Sequence, residues 1–277
     1  MQTILLQNYL KLHMNRAQQV IWITGASSGI GEALVYAYDR LGAKLIISSR
    51  NKDKLYEIKS KCQSNALNIH VLALDLEDTA SLNDKAQEAL RIFGRIDLLI
   101  HSGGISQRSL AMETKIAVAQ RLMNVNFWGT VALSHAVLPN MIKQGGGHIV
   151  AVSSLVGKFG TRFRSGYAAS KHALHGYFDS LRAELFQDNI KFTIVCPGFI
   201  RTNVSINALV GDGSTQNTMD DAQDRGMLPE QFAERMIKAI DQGKEEVYIG
   251  GKEVYGVYLK RFFPKLFSRL MRKAKVT

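Results

Sequence analysis

Seven short apolar runs, rich in β-branched residues, recur between Val20 and Ile249, each separated from the next by a stretch of helical length. They are "VIWIT" (20–24), "KLIIS" (44–48), "IHVLAL" (69–74), "IDLLI" (96–100), "HIVAVS" (148–153), "KFTIVC" (191–196) and "EVYI" (246–249). Runs this apolar suit strands covered on both faces, and segments 29–41, 51–66, 79–93, 113–143, 166–188 and 229–242 carry the helical patterns that supply the cover. Such alternation builds βα units into one α/β doubly wound domain, a parallel sheet with helices on both faces. Gly42, Gly94 and the "GGG" at 145–147 sit where helices are expected to stop.

A chain of 277 residues that is 46% hydrophobic and 21% charged has the make-up of one large globular domain, here assigned to 20–250. Residues 1–19 read as an N-terminal extension, with Met14 close before the first strand. Cys62 and Cys196 are far apart and follow no metal-ligand spacing, so neither a disulfide framework nor a metal site is expected, and a reducing, cytoplasmic setting fits. No run approaches 18 uninterrupted apolar residues, and the opening segment lacks a cleavage pattern; neither a membrane span nor export is expected.

The first strand runs into "TGASSGIG", Thr24 to Gly31, which opens the first helix. Gly25, Gly29 and Gly31 supply a tight turn, close backbone approach and close helix–sheet packing, while the helix N-terminus offers free N–H groups to phosphate. In the first βα turn of such a series this is the pattern of a Rossmann dinucleotide fold. Where NAD-binding versions often end the second strand in an acidic residue, this chain reads "ISSRN". Arg50 suits a 2′-phosphate, so NADP(H) is expected over NAD(H). Asp75 and Leu76, after the third strand, are placed to approach the adenine.

"SSLVGKFGTRFRSGYAASK" (153–171) holds Ser154, Tyr167 and Lys171. Ser154 follows the fifth strand, at the sheet edge where open α/β folds bind ligands, and Tyr167 and Lys171 share one face of a helix. A phenol beside an ammonium can pass a proton to a carbonyl oxygen, with the serine hydroxyl steadying the oxyanion. Tyr248 and Lys252 repeat the spacing, but Gly250 and Gly251 between them argue against a helix there.

Together "TGASSGIG", "NVNFWG", the Ser154/Tyr167/Lys171 spacing and "PGFIRT" resemble the short-chain dehydrogenase/reductase family. The resemblance implies a Rossmann fold with strand order 3-2-1-4-5-6-7 and NAD(P)-dependent carbonyl reduction or alcohol oxidation. It implies that Ser154, Tyr167 and Lys171 are catalytic and that Asn126 helps hold a water in a proton relay to the lysine. For the cofactor it implies Gly25, Ser27, Ser28, Gly29, Ile30 and Gly31 at the phosphates, with Ser102 and Gly103 after the fourth strand. Tyr167 and Lys171 would hold the ribose, Pro197 and Gly198 would turn beside the nicotinamide, and Ile200 and Thr202 would meet the carboxamide and phosphates. "GGISQRSL" and "YAASKHALHGYFDSLRAEL" look most like the dehydrogenase/reductase member 7 group, whose relatives act on retinoids and steroids. The family usually has Asn-Asn-Ala-Gly after the fourth strand; this chain has His101-Ser102-Gly103-Gly104, and His101 is read as a structural hydrogen-bonding residue.

The segment 199–228 is too long for a plain connector and reads as a lid. Its Val204, Ile206, Leu209, Val210, Met219 and Met227, with Leu155, Phe159, Phe163 and Phe199, predict an apolar mouth, hence a small lipophilic carbonyl or alcohol substrate. Subunit contacts, giving a homodimer or homotetramer, are expected from helices 113–143 and 166–188. About +7 of the net charge of +11 lies between Lys252 and Lys275. There Phe263, Leu266, Phe267, Leu270 and Met271 form an apolar stripe in a basic segment, 251–277, that suits docking on the domain itself or peripheral contact with a membrane surface. Nucleic acid is not an expected partner, since no helix-turn-helix or RNA-stacking motif is visible. The rival reading is a catalytically silent nucleotide-binding or membrane-surface protein on the same fold.

Overall fold

A computed structural model describes residues 19–274, so most of the predicted N-terminal extension lies outside the described residues. Seven parallel strands form one sheet in the order β3-β2-β1-β4-β5-β6-β7. They are β1 (Val20–Thr24), β2 (Lys44–Ser48), β3 (Ile69–Val71), β4 (Leu98–His101), β5 (Gly147–Val152), β6 (Ile190–Pro197) and β7 (Glu246–Ile249). β3 is shorter than its apolar run because regular pairing stops at Val71; beyond it Leu72 N–H still reaches Ile47 O at 3.0 Å and Leu74 N–H reaches Ser49 O at 3.2 Å.

The helices follow as α1 (Gly29–Arg40), α2 (Lys52–Lys61), α3 (Leu82–Phe93), α4 (Ile116–Met123), α5 (Gly129–Lys143), α6 (Ser165–Glu184), α7 (Asp221–Asp224), α8 (Pro229–Asp241), α9 (Tyr255–Phe262) and α10 (Pro264–Met271). The single helix predicted over 113–143 is interrupted: between α4 and α5, Asn124–Trp128 widens into a π turn. The predicted helix over 51–66 ends at Lys61, where Asp39 accepts the N–H groups of Gln63 and Ser64 at 2.7 and 3.1 Å and turns the chain away.

Alternate residues of each strand face opposite layers, as the period of two requires. Trp22, Ile46, Leu99 and Ile149 pack under α3, α5 and α6, against Ala86, Leu133 and Phe178. Ile21, Ile23, Leu45 and Val150 pack under α1 and α8, against Leu34, Tyr38, Phe232 and Met236. The segment 199–228, predicted as a lid, follows β6; bridges Ile200 to Met227 and Leu209 to Thr215 close it on itself, and Gln107 to Leu209 ties it to the loop after β4.

Candidate active site

Strand order reverses between β1 and β4, and their carboxyl ends form the crevice in which open α/β sheets take ligands. The main chain there is interlocked. Gly25 has φ +66°, and a Cβ on it would stand 2.5 Å from Cα and N of Gly103. A Cβ on Gly31 would stand 2.1 Å from the carbonyl oxygen of Gly25. The result is a groove of about 750 Å³ whose floor is Gly25, Ser27, Ser28, Gly29 and Ile30. Arg50, exposed beyond β2, lines its rim, as do Asp75 and Leu76 after β3, Ser102 and Gly103 after β4, and Thr202 of the lid. Gly31 does not line this groove; it lets α1 close onto the loop. Ser28 precedes α1 without a side-chain cap, so the first-turn N–H groups lack both intrahelical and side-chain partners at the groove. This glycine-rich cradle fits the pyrophosphate of a dinucleotide. Asp75 Oδ1 accepts Glu77 N–H at 3.0 Å, so that carboxylate also closes its own turn.

A second cavity, of about 400 Å³, adjoins the groove and shares Ile30, Ser102 and Thr202 with it. Ser154, Tyr167 and Lys171 meet on its wall, and Pro197, Gly198 and Ile200 line it from β6 onward. Ser154 Oγ accepts Val156 N–H at 3.3 Å, opening a short 3₁₀ turn that holds the serine at the end of β5. The Ser154 side chain stands beside the Tyr167 phenol and favours its ionised form. Lys171 donates to Val152 O at 2.8 Å, and its Nζ stands 5.8 Å from the Tyr167 ring centroid. Burial pushes the Lys171 ammonium down to about 8.

Burial also pushes the Tyr167 phenol up, and the Ser154 side chain opposes it, followed by the positive charges of Arg108 and Arg164. Both arginines line the cavity. Arg108 grips Asp220 of the lid through Nε and Nη2, at 2.7 and 2.6 Å, and Arg164 reaches the same carboxylate at 3.4 Å. All three are buried, at 8%, 5% and 4% exposure, so one carboxylate answers two guanidiniums beside the phenol. Burial, then the like charge of Arg108, pulls Arg164 down to about 10. None of these three belongs to a local motif; Arg108 lies in "GGISQRSL" just past β4, which was the one available signal.

Three further supports escaped the sequence. The Gln107 side-chain oxygen accepts Gly166 and Tyr167 N–H at 2.8 and 3.2 Å, capping α6 from another loop. Behind the same helix, His175 bridges Ser153 and Glu246, each at 3.0 Å, and Ser153 donates to Lys171 O at 3.3 Å. Ser153 is 2% exposed, so this serine–histidine–glutamate row braces the helix and is no hydrolytic triad. Tyr248, of the second tyrosine–lysine pair, donates to Glu246 of this row. Glu253 accepts the N–H groups of Phe199 and Gly251 at 3.1 and 2.9 Å, fixing the turn after β6.

Asn126 sits in the π turn and lines neither cavity. Its amide bonds the Ile105 main chain in both directions, at 2.8 and 2.9 Å, and donates to Ser170 Oγ at 3.0 Å. A Cβ on Gly104 would stand 3.0 Å from Asn126 Oδ1 and 3.4 Å from Lys171 Nζ, so the asparagine and the lysine flank one glycine. His101, at the end of β4, pairs with Ser134 of α5 at 3.0 Å. Ser134 donates to Thr130 O, so His101 Nε2 carries the proton, and Nδ1 finds no partner among the described residues. Burial pushes this imidazole down to about 3.

The lid contributes less to the cavity wall than its composition suggests. Val204 lines the wall with Leu155, Phe159 and Phe199, whereas Phe163, Ile206, Leu209, Val210, Met219 and Met227 do not. Leu209 packs with Val118 and Leu122 instead, and Met227 turns to the core under α8. Their places are taken by Leu259, Phe267, Leu270 and Met271 of α9 and α10.

An open parallel α/β sheet, a glycine-rich phosphate cradle at its switch point, and a serine–tyrosine–lysine cluster on the adjoining wall define a nucleotide-binding oxidoreductase class. Residues 19–210 match the short chain dehydrogenase family, and the chain belongs to it. It is 40% identical over 271 residues to "Dehydrogenase/reductase SDR family protein 7-like" of Anopheles gambiae, covering 94% of this chain and 84% of that protein. It is 38% identical over 259 residues to "Dehydrogenase/reductase SDR family member 7B" of Xenopus laevis, covering 91% and 80%. In fold it is similar to a short chain dehydrogenase/reductase from Burkholderia phymatum in complex with NAD, with a TM-score of 0.78 at 21% identity, covering 90% of this chain and 94% of that one.

Proposed function

We propose that the chain is an NADP(H)-dependent oxidoreductase that interconverts a lipophilic carbonyl and the corresponding secondary alcohol. The observation that carries this reading is the convergence of Ser154, Tyr167 and Lys171 on one cavity wall that adjoins the glycine-rich groove. Support for the extra phosphate comes from the end of β2, where Ser48, Ser49 and Arg50 offer a cation at the groove rim and no carboxylate. A bound nicotinamide supplies hydride to the carbonyl carbon or accepts it from the alcohol.

The side chains do the rest. With a carbonyl oxygen seated between Ser154 Oγ and Tyr167 Oη, the serine donates a hydrogen bond and the phenol gives up its proton, leaving an alcohol and a phenolate. Positive charge from Lys171, Arg108 and Arg164 steadies that phenolate until solvent returns the proton. Asn126 positions the loop after β4 and the helix that bears Tyr167. Leu155, Phe159, Phe199 and Phe267 favour a fatty, aromatic, retinoid or steroid carbonyl. We read the exposed Trp128 and Ile142, beside and on α5, as part of a homodimer or homotetramer contact.

The test is NADPH oxidation over a panel of carbonyls of graded size, repeated with NADH. Turnover best with large apolar carbonyls, and a lower Michaelis constant for NADPH, are expected. Tyr167→Phe should lower turnover by about 10²- to 10⁴-fold while leaving nucleotide binding in place. Wild-type protein that binds NADPH and reduces no carbonyl would return the chain to the catalytically silent reading.

A further inference from the structure

Helices α9 and α10 form one wall of the substrate cavity. Phe267 is buried with its ring edge-on to Phe159, centroids 5.1 Å apart, and a Cβ on Gly256 would stand only 3.3 Å from Phe159. Leu259, Leu270, Met271 and Ala274 complete this wall. The outer flank of the same helices is open: Phe262 and Phe263 are 68% and 62% exposed, and Leu266 and Leu270 are 48% and 52% exposed. Phe263, Leu266 and Leu270 fall at i, i+3 and i+7, on one stripe. Leu270 belongs to both sides, lining the cavity while half exposed.

Charge accompanies this apolar flank. Between Val254 and Ala274 the chain carries Lys260, Arg261, Lys265, Arg269, Arg272 and Lys273 and no acidic residue, and all six are exposed. Exposed phenylalanines and leucines beside uncompensated cations match the two components of an anionic bilayer surface, apolar chains beneath phosphate-bearing headgroups. An acidic protein or a nucleic acid would satisfy the cations and leave the stripe in water. A membrane satisfies both.

We propose that α9 and α10 seat on an anionic membrane surface and that a lipophilic substrate passes from the bilayer into the cavity past Leu270. The entry step rests on the lipophilic-carbonyl reading above; the docking step does not.

The experiment is co-sedimentation of the full chain with phosphatidylcholine vesicles carrying about one-third phosphatidylserine, against phosphatidylcholine alone. Binding to the anionic vesicles that weakens with salt is expected. Phe263→Glu with Leu266→Glu, at two positions that do not line the cavity, should weaken that binding by about tenfold or more, and so should Lys265→Glu with Arg269→Glu. Both variants should keep the wild-type unfolding midpoint and the wild-type rate on a water-soluble carbonyl. With a long-chain ketone dissolved in the vesicles, the Phe263→Glu, Leu266→Glu variant should lose about tenfold in rate. Wild-type protein that ignores anionic vesicles overturns the proposal, as do variants that bind them like wild type. A dimer in size-exclusion chromatography that Phe263→Glu dissociates also overturns it, because a second copy then covers the flank. Vesicle binding without turnover of any lipophilic carbonyl supports docking and overturns entry.

Discussion

At Gly25 and Gly31 the loop beneath the groove packs main chain against main chain, whereas the cavity beside Tyr167 is walled by side chains from the loops after β4, β5 and β6 and from α9 and α10. Main-chain contacts demand glycine at particular places, because a single Cβ would strike a backbone atom 2.1 or 2.5 Å away. Side-chain walls accept many residues, provided the whole remains filled and neutralised. One region therefore writes itself as a contiguous motif, and the other as scattered positions.

Three substitutions test how separate the two regions are. The largest effect is expected from Asp220→Asn, which leaves the Arg108 and Arg164 guanidiniums buried without their carboxylate. Unfolding free energy should fall by about 3–5 kcal/mol, as when one member of a buried ion pair is removed, with NADPH affinity held within about twofold. Urea titration and calorimetric binding check it, and an equal loss of nucleotide affinity would break the comparison. Next comes Gly31→Ala, whose methyl would stand 2.1 Å from the Gly25 carbonyl oxygen and prise α1 off its loop. Overpacking of this kind costs about 1–3 kcal/mol, so NADPH binding should weaken roughly tenfold to a hundredfold while the environment of Tyr167 stays intact.

At neutral pH the smallest effect belongs to His101, which lines neither site and acts on stability only in acid. Its pKa is held down at about 3 against an ordinary 6.5, so below pH 6.5 the unfolded chain gains a proton that the folded chain refuses until about pH 3. Its contribution is therefore complete above pH 6.5 and lost progressively as pH falls through that window, at up to about 1.4 kcal/mol per unit. His101→Asn should flatten this part of the stability curve, and parallel slopes for the two proteins would contradict the assignment.

All seven strands were legible because two-sided burial makes each strand an apolar run, whereas their order came from the family resemblance and is the order observed. The groove over Gly25 and Gly29 was legible because its glycines lie close together in sequence. Arg108, Arg164 and Asp220 were not: the two arginines lie 112 and 56 positions from the carboxylate they share, and surface lysines and arginines look the same in a sequence. Apolar lid residues misled for a related reason, since hydrophobicity tells that Leu209 is buried and not which neighbour buries it. Glu253 and Gln107 were missed because each caps an element distant in sequence.

The π turn at Asn124–Trp128 acts as a one-residue shim in an otherwise continuous helical rod. Each helical residue advances the face by about 100°, so one extra residue re-aims everything after it. Upstream, Val118 and Leu122 point at Leu209 of the lid; downstream, Leu133 and Val137 point at the sheet. Removing the shim would yield a more regular rod that can satisfy the lid or the sheet, but not both.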